Sequence, residues 1–169
     1  MLKLAIVLPT LNERDNIAPL IGQLESALGR EGWEAIFVDD NSADGTGDLL
    51  REMSLTDPRV RVIERFGRRG LASAAIEGMC STAAPYVALM DADLQHDPAL
   101  LPQMLASVES GEADIAVASR FIAGGSAAGL SSKGREAGSR LSNRLSRLLT
   151  GMELSDPMSG FFLLRSDRL

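Results

Sequence analysis

A three-layer α/β/α sandwich on a mostly parallel central sheet is what this sequence predicts, on three observations. Short apolar runs alternate with amphipathic segments along the chain, several runs are nearly continuous in Val, Ile, Leu and Ala, and the polar residues able to do chemistry fall just after the runs. Alternating strand and helix patterns place the chain in the α/β class. Unbroken apolar strands belong to a sheet covered on both faces. Polar strand ends mark the edge where connecting loops gather and ligands bind.

The predicted strands are residues 2–9 (LKLAIVLP), 33–40 (WEAIFVDD), 60–66 (VRVIERF), 85–91 (PYVALMD) and 113–119 (ADIAVAS). Helical periodicity predicts helices over 15–28, 45–53, 71–82 and 99–110, the last with Pro98 where a helix can begin. Residues 122–132, IAGGSAAGLSS, are small and Gly-rich and read as a loop. The 169 residues suffice for one domain with a sizeable core. A net charge of −6 argues against a general nucleic-acid binder, so any anionic partner is expected to be held locally. Cys80, the single cysteine, is expected as a small buried residue inside the third helix, and no disulfide is possible within the chain. No apolar run approaches the roughly 18 residues that would span a bilayer, and a cytoplasmic chain is expected.

Four strand ends carry the candidate chemistry: PTLNE, VDDNSADGT, DADLQ and SRF. A dinucleotide site would need glycines after the first strand, and LPTLNERDN has none. The nearest P-loop match, GLSSKGRE, has Arg135 and Glu136 where Lys and Ser/Thr should stand. A receiver-type phosphorylation site fails too, since the first loop offers only Glu13 and the third strand ends in RFGRRG. Asp91 and Asp93 are the informative pair. Flanking one small residue at a strand end, they can turn to the same side and offer hard oxygen ligands to Mg²⁺ or Mn²⁺. An ion with so few protein ligands completes its shell with water and substrate phosphates.

The ordered motifs PTLNE, VDDNSADGT, GRRGLASAAIEGM, DADLQHDP, SRF and DPMSGFFLLR resemble family 2 glycosyltransferases of the dolichyl-phosphate mannose synthase type, over essentially the whole chain. The resemblance implies a GT-A fold, with residues 1–169 as one catalytic domain lacking C-terminal elements usual in the family. It implies an inverting transfer from a nucleotide-sugar donor to a polyprenyl phosphate, with GDP-mannose first. Alternatives are a UDP-sugar with undecaprenyl phosphate, a sugar-hydroxyl acceptor, and a non-catalytic nucleotide-sugar-binding module of a larger membrane assembly.

Carried over by motif, Pro9, Leu11, Glu13, Val38 and Asp40 line the nucleotide pocket, with Leu11 replacing an aromatic residue frequent there. Asp91, Ala92, Asp93 and Gln95 form the diphosphate and metal site, with Asp91, Asp93 and Gln95 as metal ligands. Asp91, Asp93 and Arg120 are the expected catalytic residues, and Arg120 and Arg135 are the expected grips on the acceptor phosphate. A lipid monophosphate, with a second pKa of about 6, attacks without a dedicated base; Asp156 is the residue to suspect if a base exists. His96 is expected to be a polar loop residue beside the metal loop. Residues 133–151 read either as an interfacial helix, with Arg140, Arg144 and Arg147 beside a leucine stripe, or as an ordinary core-packing helix. Peripheral contact with the cytoplasmic face of a membrane is expected, and a homo-oligomer is left open.

Overall fold

The computed structural model describes residues 1–118 and 160–169. All five expected strands and all four expected helices are there. In chain order they are β1 (Leu4–Thr10), α1 (Arg14–Leu28), β2 (Trp33–Asp39), α2 (Thr46–Thr56), β3 (Val60–Glu64), α3 (Leu71–Met79), β4 (Tyr86–Leu89), α4 (Leu101–Glu109) and β5 (Ile115–Val117). A 3-10 turn at Pro98–Leu100 leads into α4, with the Asp97 carboxylate accepting from Ala99 N–H. The residues expected as a loop at 122–132 and as an interfacial or packed helix at 133–151 lie outside the described part, as do Arg120, Arg135 and Asp156.

A sixth strand, β6 (Phe162–Arg165), was not expected. The sheet order is β3-β2-β1-β4-β6-β5. Strands β3, β2, β1 and β4 run parallel, while β6 lies antiparallel between β4 and β5, pairing Leu89 with Phe162 and Val117 with Phe162. The run FLLR is short and apolar without alternation, so its own pattern does not separate strand from linker. Its place is set by the gap between β4 and β5.

Side chains of β1 alternate between two cores. Leu4, Ile6 and Leu8 join residues of α1, α2 and α4, together with Phe37, Met90 and Phe161, on one face. Ala5 and Val7 join Ile36, Val38, Val87 and Ala74 and Ala75 of α3 on the other. Burial on both faces explains the unbroken apolar runs. On the α3 side the layer is thin because Gly78 lies against the sheet: a Cβ there would overlap Val7 and come within 2.9 Å of Val38 Cγ2.

Helix α3 ends earlier than expected, and the expectation for Cys80 is corrected with it. Cys80 caps the helix and is exposed. Its N–H bonds Ile76 O at 2.9 Å and Ser81 N–H bonds Gly78 O at 3.1 Å. The turn thus closes with Gly78 on the sheet and Cys80 past the end.

Candidate active site

Successive strands leave β1 in opposite directions, β2 to one side and β4 to the other. Such a reversal opens a crevice at the carboxyl ends, and the loops after β1, β2, β3 and β4 gather there. The backbone records a cost at the same edge. Among the described residues the three non-glycines with positive φ are Asn12 (59°), Asn41 (57°) and Leu94 (62°), one each in the loops after β1, β2 and β4. Asparagine tolerates this region, whereas leucine does not do so readily. Leu94 is held in it by packing of its side chain on the larger core.

The first two loops are stitched to each other. Asn12 N–H bonds Ser42 Oγ at 2.8 Å, and Asn12 Oδ1 accepts from Ala43 N–H at 2.9 Å. Glu13 N–H bonds Thr46 Oγ1 at 3.1 Å. Asp44 accepts from Arg14 N–H at 3.1 Å, Thr46 N–H at 3.0 Å and the Thr46 hydroxyl at 2.6 Å. Desolvation pushes the Asp44 carboxyl upward, but the hydrogen bonds from Thr46 and the backbone prevail and hold it below its ordinary range.

Two acidic pairs sit at the ends of β2 and β4, on either side of β1, and they are in opposite states. Asp39 is 1% exposed, accepting from Thr10 Oγ1 at 3.2 Å and from Ser42 N–H and Oγ at 2.9 and 2.5 Å. Asp40 faces Arg65, a fully buried arginine whose Nη1 stands 2.8 Å from Asp40 Oδ1, and it accepts from Gly70 N–H at 2.7 Å. The Arg65 guanidinium also meets Glu77 at 3.3 Å, the Ser73 hydroxyl at 2.5 Å and Gly70 O at 3.2 Å. This first pair is closed into the protein.

Asp91 and Asp93 are open. Ala92 between them is buried at 2% exposure, while Asp91 and Asp93 are each partly exposed. Among the described residues neither pairs with a lysine or arginine. Among the described residues Asp91, with its side chain 38% exposed, has His96 Nε2 at 3.5 Å, and Asp93 accepts from Gln95 N–H at 3.0 Å. Two hard carboxylates without a cationic partner fit a divalent ion that prefers oxygen. Among the described residues no group of three or more His, Cys, Asp or Glu could hold a metal, so such an ion would draw its remaining ligands from elsewhere.

The other sequence candidates fall around this point. Leu11 is 44% exposed at the end of β1, and Pro9 and Glu13 are half-buried beside it. Glu13 precedes α1 and accepts from Asn16 Nδ2 at 2.5 Å. Val38 is fully buried in the α3-side core, so its side chain reaches no ligand at the edge. Gln95 is exposed and lines a groove of about 770 Å³ between α1 and residues 94–99, alongside His96. His96 packs at 5.3 Å on the Phe161 ring, beside the acidic loop. Arg65 and Gly160 were not singled out from sequence. Arg65 stands among three arginines in RFGRRG, and nothing local says which one is buried. Gly160 lies within DPMSGFFLLR, where the close neighbour that makes it matter is 69 positions away in the chain.

Comparison with known proteins follows this geometry. A family model described as Glycosyl transferase family 2 matches residues 5–169. The chain is 36% identical to the dolichol-phosphate mannosyltransferase of Pyrococcus furiosus, over 98% of this chain and 47% of that protein. It is 35% identical to the polyprenol monophosphomannose synthase of Mycolicibacterium smegmatis, over 97% of this chain and 62% of that protein. The chain therefore spans about half to three fifths of the curated relatives it matches. Among solved structures, glucosyl-3-phosphoglycerate synthase of Mycobacterium tuberculosis, in a complex with Mn²⁺, UDP and phosphoglyceric acid, superposes with a TM-score of 0.71 at 20% identity, covering 98% of this chain and 56% of that one. The shared architecture is the GT-A fold.

Proposed function

The chain belongs to glycosyl transferase family 2, and on that premise we propose that it transfers a hexosyl group from a nucleotide sugar to a polyprenyl phosphate, inverting the anomeric centre. Mannose from GDP-mannose is the first reading; the names of relatives at 35–36% identity support the mannosyl group and the polyprenyl phosphate. A UDP-sugar is the alternative. The observation that carries the proposal is the contrast between the two acidic pairs: Asp39 and Asp40 are tied to protein donors, whereas Asp91 and Asp93 stand partly exposed with no cationic partner among the described residues.

Asp91 and Asp93 would hold Mg²⁺ or Mn²⁺, with Gln95 as a third candidate ligand. A divalent ion there supplies charge neutralisation of the departing diphosphate. Leu11, Pro9 and Glu13 offer the donor a surface at the end of β1, and Val38 and Ala92 back that surface from the core. Asp40, expected near the base, is instead closed onto Arg65 and Gly70 N–H, and steadies the loop after β2 behind the pocket. Arg120 and Arg135 are proposed to grip the acceptor phosphate, a task suited to the guanidinium fork. Because a phosphate monoester is already largely dianionic at neutral pH, the chain needs to align it rather than deprotonate it.

The test is a donor screen using mixed polyprenyl phosphates, with label counted in the organic phase. Label from GDP-mannose is expected there only when Mg²⁺ or Mn²⁺ is present, and Asp93→Ala is expected to reduce it to background. No lipid-soluble product with any donor would end the proposal. Metal-dependent nucleotide binding without transfer would instead favour a binding module.

A further inference from the structure

Strand β6 does more than fill the sheet, because its first turn is pressed against the acidic loop. Gly160 precedes it, and an added Cβ at Gly160 would stand 2.8 Å from Asp91 Oδ2, 3.3 Å from Cγ and 3.4 Å from Oδ1. The backbone at residue 160 is not in the left-handed region, so it is not conformation that requires glycine here. What glycine provides is room for one carboxylate. On the same carboxylate, His96 Nε2 lies 3.5 Å from Oδ2, and the imidazole is only 14% exposed. The ring rests at 5.3 Å on Phe161, fully buried and next in the chain to Gly160.

We propose that Gly160 and His96 are positioning residues that hold the Asp91 carboxylate in the orientation a divalent cation requires. The inference rests on the reading of Asp91 as a cation ligand. A side chain at residue 160 meets the far end of a flexible aspartate, not backbone. The least costly relief is rotation of that aspartate about χ1, which keeps the fold and misaims the ligand. On the other side, the His96 ring is pinned by Phe161 and limits the carboxylate's travel. The acidic loop after β4 is thus aimed by the strand that enters the sheet beside it, and second-sphere contacts of this kind commonly carry 10- to 100-fold effects on metal affinity.

The experiment is Mn²⁺ titration of the full chain with GDP present, read from the electron paramagnetic resonance of free Mn²⁺, alongside thermal melting and GDP binding without metal. Gly160→Ala is expected to weaken Mn²⁺ binding about tenfold or more, with melting and metal-free GDP binding little changed. Unchanged Mn²⁺ affinity in a folded Gly160→Ala protein would overturn the inference. Should that variant fail to fold, His96→Phe decides: it keeps a ring on Phe161 but removes the nitrogen beside Asp91. A loss of about threefold or more in Mn²⁺ affinity supports the inference, and wild-type affinity overturns it. Asp91→Asn separates this inference from its premise. If that variant binds Mn²⁺ as the wild type does, the reading of Asp91 as a ligand is wrong. If Asp91→Asn loses Mn²⁺ while Gly160→Ala and His96→Phe keep it, the ligand stands and the positioning role falls.

Discussion

At the scale of single residues, the telling feature is an arginine at 1% exposure. Arg65 is a charge buried at the end of β3, neutralised by Asp40 and Glu77 and bonded to Ser73 and Gly70. Taking a charge out of water is costly, so removing one partner strands the other. Arg65→Met is expected to cost about 3–5 kcal/mol in urea denaturation, and Asp40→Asn in the same background to recover part of it. A loss well below 1 kcal/mol would mean that Asp40 is solvated and not braced. The pair keeps the acidic edge rigid, whereas the partly exposed aspartates after β4 have no lysine or arginine partner among the described residues.

At the scale of elements, the junction of α1 and α2 depends on one carboxylate. Asp44 receives three hydrogen bonds, one of them from the first residue of α1 and two from the first residue of α2. Its acidity is raised by them, net of desolvation. A carboxylate whose folded pKa is depressed contributes stability above its unfolded pKa, about 3.9, and loses it as pH falls through the folded value. Asp44→Ala is therefore expected to lower stability by about 1 kcal/mol at pH 6–8. The gap between variant and wild type should close as pH drops below about 4. A gap that stayed constant to pH 2 would show that charge plays no part. On the opposite face, Gly78 lets α3 approach the sheet closely enough to touch Val7 and Val38, the device that keeps this layer thin.

At the scale of the whole molecule, residues 160–169 and residues 1–118 share one sheet and its larger core. Phe161 is fully buried in the same cluster as Leu20, Phe37 and Leu101. Truncation of such a ring typically costs about 3–5 kcal/mol. Trp33, the only tryptophan, lies at the amino end of β2, 4% exposed, with the Arg59 guanidinium 4.7 Å from its ring. Phe161→Ala is thus expected to lower the transition seen by Trp33 fluorescence and by far-ultraviolet circular dichroism by the same amount, the two curves remaining coincident. Separate transitions would mean that the β6 region unfolds independently. Among the described residues no helix is long and apolar enough to cross a membrane.

The sequence by itself determined the α/β class, five strands, four helices and the edge that carries the acids, because apolar periodicity and polar strand ends are local properties that each segment writes for itself. It also singled out Asp91 and Asp93 as a pair able to turn to one side around a small residue, and the fold buries that residue, Ala92. Only the tertiary structure decided which acids stay open. The fate of Asp40 turns on Arg65 and Gly70, up to 30 positions away, and no pattern within VDDNS reveals those partners. Strand β6 was equally out of reach, because three apolar residues and an arginine become a strand only where two others leave a gap. The same holds for Gly160, whose missing side chain has meaning only against a carboxylate on a distant loop: hydrogen-bond partners and steric room are properties of the assembled fold, and periodicity does not encode them.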